Sequence, residues 1–404
     1  MNAIRKGYVT GALIGAVWMV VLAVTVAVAM SFATGAPFRP GMLWSLLWGA
    51  LAGVAVVGLG RALPVLAGVA LAVLAVTLAG IGPILAGPDA GVVARLVGAA
   101  ILAAALVWSL RGILEEIRPG ALTRHEFEEA VIRFLTGTGY IFFTAIVAIP
   151  FYVMVMTSLK NQSELIQNPL DFSIDLSQGW DLFRSYAELF GQFNFGTYLL
   201  NSFIISVLTV AITLAFSVPG AYAVARLRFR GRAGISRSIL LIYMVPMIVL
   251  ALPIYIAFSM TGLRNSILGI VMIYPVTTIP VALYMLQGYF RGLPGEVEEA
   301  GLMDGLSRLQ VIWKITLPLS LPALASVSLY VFMIAWNEFL LAFMLLDDPS
   351  KFTLTRGIAS LNSSEVPRQH LMAGAVIATV PIMALFLGLE RFMTKGLTAG
   401  SVKG

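Results

Sequence analysis

The chemistry this 404-residue chain can offer is densest between residues 294 and 318. There Glu296, Glu298 and Glu299 follow Pro294-Gly295, Asp304-Gly305 comes next, and Ser307 precedes Gln310 by three positions. Proline suits a helix start because its missing N–H would be unpaired there anyway, and carboxylates in a first turn meet the positive end of the helix dipole. Asp-Gly marks a turn. Ser307 with Gln310 forms a capping box that opens a second helix. Leu309, Ile312, Trp313 and Ile315 give that helix an apolar side, and Pro318 and Pro322 break it before the next apolar run. The spacing predicts a short helix–turn–helix, acidic in front and apolar behind. Spacing alone leaves open a plain connecting turn that covers a bundle.

The composition says what kind of elements must hold this segment. Apolar residues make up 59% of the chain and charged residues only 11%, with a mean hydropathy of +0.93. A soluble domain carries roughly 25% charged residues, so a water-facing surface cannot be built from this supply. The chain reads as an integral membrane protein. It has no cysteine, which removes disulfides, thiolate nucleophiles and iron–sulfur clusters. His125 and His370 are its two histidines and stand far apart, so a multi-histidine metal site is excluded. The net charge is +6, but the basic residues flank apolar runs instead of forming a basic domain. They read as topology signals, not nucleic-acid contacts.

Ten apolar runs fall near residues 8–33, 42–60, 64–86, 91–110, 134–157, 197–223, 237–260, 267–287, 319–343 and 371–389. Each approaches the roughly 20 residues that cross about 30 Å of hydrocarbon. The expectation is therefore an all-α polytopic membrane bundle of about ten transmembrane helices. The first run exceeds the roughly 7–15-residue core of a signal peptide and reads as a retained helix. A charged stretch between them divides the chain into a four-helix membrane segment (1–112), a cytoplasmic linker (113–133) and a six-helix core (134–404). Loop 291–318 and tail 391–404 of that core are expected in the cytoplasm. With both termini cytoplasmic, 18 of the 26 lysines and arginines fall on inner segments and 8 on outer ones, as the positive-inside rule asks. The densest inner cluster is Arg226, Arg228, Arg230, Arg232 and Arg237.

Glu299-Ala300-Gly301, three residues, Asp304-Gly305 closing them, nine residues, then Ile315, Leu317 and Pro318 resemble the EAA loop of ABC-importer permeases. The one departure is Gly301 where the pattern has a second alanine, a change of up to about 1 kcal/mol in helix propensity. The resemblance runs from about residue 134 to the end, through Tyr198 to Asn201-Ser202, Ala221-Tyr222-Ala223-Val224-Ala225-Arg226, Phe229-Arg230-Gly231, Trp336-Asn337-Glu338-Phe339 and the tail from Gly396 to Gly404. It is similar to the carbohydrate-uptake branch, and within it to the smaller maltose-type permease subunit. Residues 1 to about 130 lie outside it.

That resemblance implies a transport subunit, not an enzyme, in a bacterial or archaeal plasma membrane. It implies a second permease subunit, two copies of a cytoplasmic ATPase and an extracytoplasmic solute-binding protein as partners. The solute would be an oligosaccharide such as a maltose- or trehalose-like α-glucoside. Glu299, Ala300, Gly301, Asp304, Gly305, Ile315, Leu317 and Pro318 would carry ATPase coupling, with Glu299 the docking anion and Gly305 the tight turn. No G-x-x-x-x-G-K-[ST] occurs in the chain, so ATP and Mg²⁺ would bind the partner ATPase and this chain would need no cofactor.

Polar groups inside apolar runs face a bundle interior or a cavity by default. Trp336, Asn337 and Glu338, with Tyr243 and Asn201, are candidates for the solute path, where they would bond sugar hydroxyls. The competing reading makes them helix–helix hydrogen-bonding glue. Pro246, Pro253, Pro275 and Pro280 interrupt two neighbouring runs, and broken helices often line cavities. Gly11/Gly15 and Gly49/Gly53 match GxxxG, weak evidence by itself in a chain with 38 glycines. Arg95 reads as a snorkelling side chain. An ion-coupled secondary carrier is the alternative function, but it needs embedded carboxylates or histidines as a relay, and Glu338 is the one acid within an expected span.

Overall fold

The computed structural model describes residues 4–169, 171–363 and 365–398, and within them all side chains except those of residues 240, 242, 243 and 389–398. The chain folds as two compact units, Met1–Leu182 and Phe183–Gly404.

The first unit contains α1 (Gly7–Thr34), α2 (Met42–Gly58), α3 (Leu63–Leu78), α4 (Val92–Ile113), α5 (Arg124–Ser158) and the short α6 (Gln162–Gln167). A two-stranded antiparallel ribbon, β1 (Phe38–Pro40) and β2 (Ile84–Ala86), joins the loops. Glycines decide how α1 meets α2. A Cβ added at Gly53 would stand 1.9 Å from the Gly11 carbonyl oxygen, and one at Gly15 only 2.3 Å from that of Gly49. The two GxxxG pairs face each other and let the backbones touch, which any side chain would prevent. Trp18, Met19 and Leu22 of α1 share a core with Leu102, Leu106 and Leu110 of α4. The Trp18 indole N–H donates to Ser109 Oγ at 2.7 Å, giving a buried donor its partner.

Helix α5 opens with a capping box between Thr123 and Glu126. Residues 113–133 comprise a tied loop and the first turns of this helix. Gly7 N–H donates to the Gly120 carbonyl at 2.7 Å, Arg61 donates to the carbonyls of Leu114 and Ile117, and Arg133 pairs with Glu115, Glu116 and Glu129. Arg95 turns back to the carbonyls of Gly87, Pro88 and Ala90 instead of reaching outward. It satisfies the turn that starts α4.

The second unit contains α7 (Arg184–Gln192), α8 (Phe195–Arg226), α9 (Arg232–Tyr243), α10 (Met247–Met260) and α11 (Ile267–Gly292). The hairpin helices α12 (Gly295–Met303) and α13 (Arg308–Val311) follow, then a π-turn (Ile312–Thr316) and α14 (Leu317–Leu319). The unit closes with α15 (Leu321–Asn337), α16 (Leu340–Leu345), α17 (Leu354–Ser360) and α18 (Arg368–Thr398). Between α8 and α11 the buried hydroxyls of Thr213 and Thr278 pair at 2.6 Å. Ala221, Tyr222, Ala282, Leu286, Phe290, Val327 and Val331 form the core at the end where α8 finishes. A larger core around Phe195, Tyr274, Phe332 and Trp336 lies toward the other end.

The expected ten spans do not stand. Among the described residues six helices are long and apolar enough to cross a membrane, α1, α4, α5, α8, α11 and the first 21 residues of α18, or seven if residues 308–337, bent by 75° at Ser320, count as one. The fold class is an all-α polytopic bundle with six to seven long spans. Helices α2 and α3 have 17 and 16 residues, about 24–26 Å at a rise of 1.5 Å per residue, short of about 30 Å of hydrocarbon. The run expected at 237–260 is cut at Pro246, which caps the 14-residue α10, since proline supplies no N–H to continue the preceding helix. The run expected at 319–343 breaks at both Ser320 and Glu338. With fewer spans, the 18-to-8 division of charge no longer follows.

Candidate functional site

The segment 294–318 folds as the predicted helix–turn–helix. Helix α12 ends in a paired motif: Leu306 N–H donates to Gly301 O and Gly305 N–H to Leu302 O, each at 3.1 Å. Gly305 sits at φ +83°, the left-handed position where a side chain strains the backbone. Ser307 and Gln310 form the reciprocal capping box. The end of α12 and the start of α13 are therefore both capped from within the hairpin.

Gly301 is buried, and a Cβ there would lie 2.5 Å from Ile315 Cδ1. Ile315 thus lies across α12 at the one position without a side chain, which joins the two arms. Ile315 and Leu317 are half-buried, while Glu299, Ala300, Asp304 and Pro318 are exposed. The apolar side is exposed in part. Met303 is 87% exposed, Trp313 71% and Leu309 70%. The hairpin therefore presents an apolar rim beside the Glu299 carboxylate.

One glutamate turns the other way. Glu298 accepts from Thr316 Oγ1 at 3.0 Å through Oε1 and from the Tyr222 hydroxyl at 3.2 Å through Oε2. Arg226 Nε stands 3.6 Å from Oε1, with the Glu298 side chain 13% exposed and Arg226 16%. The Arg226 guanidinium also donates to the Leu293 carbonyl. Tyr222 and Arg226 are one turn apart on α8 and so share a face.

Four of the candidate path residues, Trp336, Asn337, Glu338 and Asn201, are committed locally. Trp336 is buried, donates to the Ala378 carbonyl at 3.1 Å and stacks on Phe332. Asn337 is exposed and its Nδ2 donates to Met333 O at 2.9 Å. Glu338 lies at the end of α15, where its carboxylate accepts the backbone N–H groups of Leu341 at 2.9 Å and Ala342 at 3.2 Å and so caps α16. Asn201 Nδ2 donates to the carbonyls of Ser350 and Phe352. The side chain of Tyr243 and residues 399–404 of the tail lie outside the description. At the end where α8 begins, Glu188 Oε2 meets His370 Nε2 at 2.7 Å and its other oxygen meets Arg184 Nε at 2.8 Å. Hydrogen bonds from Arg184, and next from His370, hold its carboxyl below the ordinary range.

The family profile described as "Binding-protein-dependent transport system inner membrane component" matches residues 217–398. The inner membrane ABC transporter permease protein YcjP of Escherichia coli is 38% identical over 269 residues, 66% of this chain and 95% of that protein. The trehalose/maltose transport system permease protein MalG of Thermococcus litoralis is 33% identical, covering 69% of this chain and 99% of that protein. The chain belongs to the ABC-importer permease family. A solved bacterial ABC transporter involved in the import of the acidic polysaccharide alginate shares the fold, with a TM-score of 0.57 and 23% identity over 67% of this chain and 98% of that one.

The chain is thus a carbohydrate-type permease subunit, a multi-pass membrane protein with a transport role, and its family works in heteromeric complexes. About a third of the permease has no counterpart in these relatives. Sequence spacing singled out Glu299 but did not show that Glu298, Tyr222 and Arg226 come together in one cluster. Three glutamates at the front of one helix read alike until a partner is in place, and the partner here is 76 residues away.

Proposed function

We propose that this permease forms half of the translocation pathway for an oligosaccharide, of the maltose- or trehalose-like α-glucoside class, and couples to a cytoplasmic ATPase through residues 294–318. The observation that carries the coupling is the hairpin itself: two capped arms locked at Gly301/Ile315, an exposed rim of Met303, Leu309 and Trp313, and a solvent-facing Glu299. Such a shape suits a cleft on another protein that offers apolar contact and a basic or amide group. The trehalose/maltose permease of Thermococcus litoralis supports the solute class. A second permease subunit, two ATPase copies and an extracytoplasmic solute-binding protein complete the assembly, and Asn337, Glu338, Trp336, Tyr243 and Asn201 stand nearest the solute.

The hairpin end is cytoplasmic in this reading. Arg226, Arg291 and Ser236 cluster there, with Arg291 donating to Ser236 at 3.3 Å, and Arg228, Arg230, Arg232 and Arg237 surround them in sequence. Positive charge gathers on that side of a membrane.

The test is a pair of variants in the reconstituted complex. Glu299→Lys reverses the charge offered to the ATPase, and Gly305→Val forces a β-branched residue to φ +83°, at a cost of about 1–2 kcal/mol or more. Membrane insertion stays normal, since neither residue lies in a span, while transport and solute-stimulated ATP hydrolysis fall together or the ATPase detaches. Wild-type transport by both variants would reduce 294–318 to a connecting turn.

A further inference from the structure

We propose that Glu298 is the positioning residue that carries motion of the coupling hairpin into the membrane helices, by locking α12 to α8 and to the π-turn. The proposal rests on the coupling role of 294–318 and assigns it an internal half: Glu299 meets the ATPase, and Glu298 meets this chain's own span.

The geometry divides the two carboxylates by direction. Consecutive helix positions differ by about 100°, so the two side chains leave α12 in different directions: Glu299 is exposed, while Glu298 is turned toward Tyr222, Arg226 and Thr316. Glu298 collects three partners from two other elements. Tyr222 and Arg226 come from the last turns of α8 and Thr316 from the end of the π-turn, which leads into α14 and, through the bend at Ser320, into α15. Arg226 also holds the Leu293 carbonyl, at the start of the hairpin. Thr316 is 1% exposed. A carboxylate with charge-assisted bonds in such a site is stronger and more directional than an apolar contact. A hairpin held to α8 only by apolar contacts could slide when pushed. One held through Glu298 must move α8 and the foot of α15 with it.

Tyr222 and Arg226, four residues apart at the end of α8, share the face that meets Glu298. Two consecutive residues of the π-turn meet α12, Ile315 at Gly301 and Thr316 at Glu298.

The experiment uses the full complex in proteoliposomes and reads three quantities: ATPase retained on purification, solute-stimulated hydrolysis, and ATP consumed per solute moved. Glu298→Gln keeps an acceptor for Thr316 but loses the charge that Arg226 faces. Glu298→Ala removes every bond. Both are expected to keep the ATPase bound and hydrolysing, while transport per ATP falls by about tenfold in Glu298→Ala and less in Glu298→Gln, as expected for loss of a few hydrogen bonds at a step that depends on them. Tyr222→Phe and Thr316→Val each delete one hydroxyl donor without leaving the carboxylate bare, and should lower transport per ATP about two- to threefold. They keep the test sharp if Glu298→Ala folds poorly. Normal transport per ATP in Glu298→Gln, Tyr222→Phe and Thr316→Val would overturn the proposal. So would release of the ATPase by these variants, because Glu298 would then only shape the docking surface. Normal ATPase binding and transport in Glu299→Lys and Gly305→Val would instead remove the docking reading on which the proposal stands.

Discussion

Glu188 carries a pH signature outside the spanning helices. Its carboxyl is held below the ordinary range by Arg184 and His370, so its ionised form stabilises the fold above the ordinary carboxylate pKa of about 4.3. That contribution is lost as pH falls through the lowered value. Purified protein in detergent should therefore melt higher than Glu188→Gln at neutral pH, and the gap should shrink progressively as pH falls below the ordinary carboxylate pKa of about 4.3. A gap unchanged down to pH 3 would mean the charge contributes nothing. Gly301 offers a second test. Gly301→Ala gains up to about 1 kcal/mol of helix propensity but places Cβ 2.5 Å from Ile315 Cδ1. Because that atom is the far end of a flexible side chain, the single variant should be near neutral. Shortening the neighbour with Ile315→Val removes the clash, so a double-mutant cycle on melting should show favourable coupling of about 0.5–1 kcal/mol.

At the scale of elements, the contact of α1 with α2 depends on absent side chains. Gly53→Leu cannot be accommodated, because its Cβ would meet the Gly11 carbonyl at 1.9 Å. Gly68→Leu on α3 meets nothing within 4 Å and serves as the control. The first should lower the melting temperature by several degrees, at about 1 kcal/mol for every few degrees, and the control should not. Equal melting of the two would show that α1 and α2 are free to separate. Helix α8 sets the sidedness of what flanks it. It is a single 32-residue helix, so reporters fused at Gln167 and Arg228 should report opposite sides, with Arg228 in the cytoplasm. Reporters on the same side would rule out α8 as a single crossing.

For the whole molecule the question is what the added helices do for the core. The relatives are covered almost completely by about two thirds of this chain, so removing residues 1–120 should leave a subunit that still assembles with its ATPase. It should also be less stable, since α5 would lose Trp18 against Phe134, the Tyr152 stack on Phe32 and the Arg133 pairs with Glu115 and Glu116. Co-purification and melting of the truncated complex check both parts. Failure to assemble despite normal insertion would make the first four helices structural to the core.

Composition alone determined the membrane class, because so few charges cannot cover a water-facing surface. Local spacing determined the capping box at Ser307 and Gln310 and the turn at Gly305, since caps and turns are satisfied within a few residues. Hydropathy did not determine the number of spans. It counts apolar residues, whereas a span needs an unbroken backbone ladder, and Pro246, Ser320 and Glu338 interrupt that ladder inside apolar runs. Nor could GxxxG spacing show that Gly11 and Gly15 would find Gly49 and Gly53, a match that exists only once the two helices cross. The same holds at the hairpin. Spacing treats Glu296, Glu298 and Glu299 alike as acids at the front of one helix, although only Glu296 and Glu298 fall in its first turn, and tertiary structure turned Glu298 inward because Tyr222, Arg226 and Thr316 converge on that one direction.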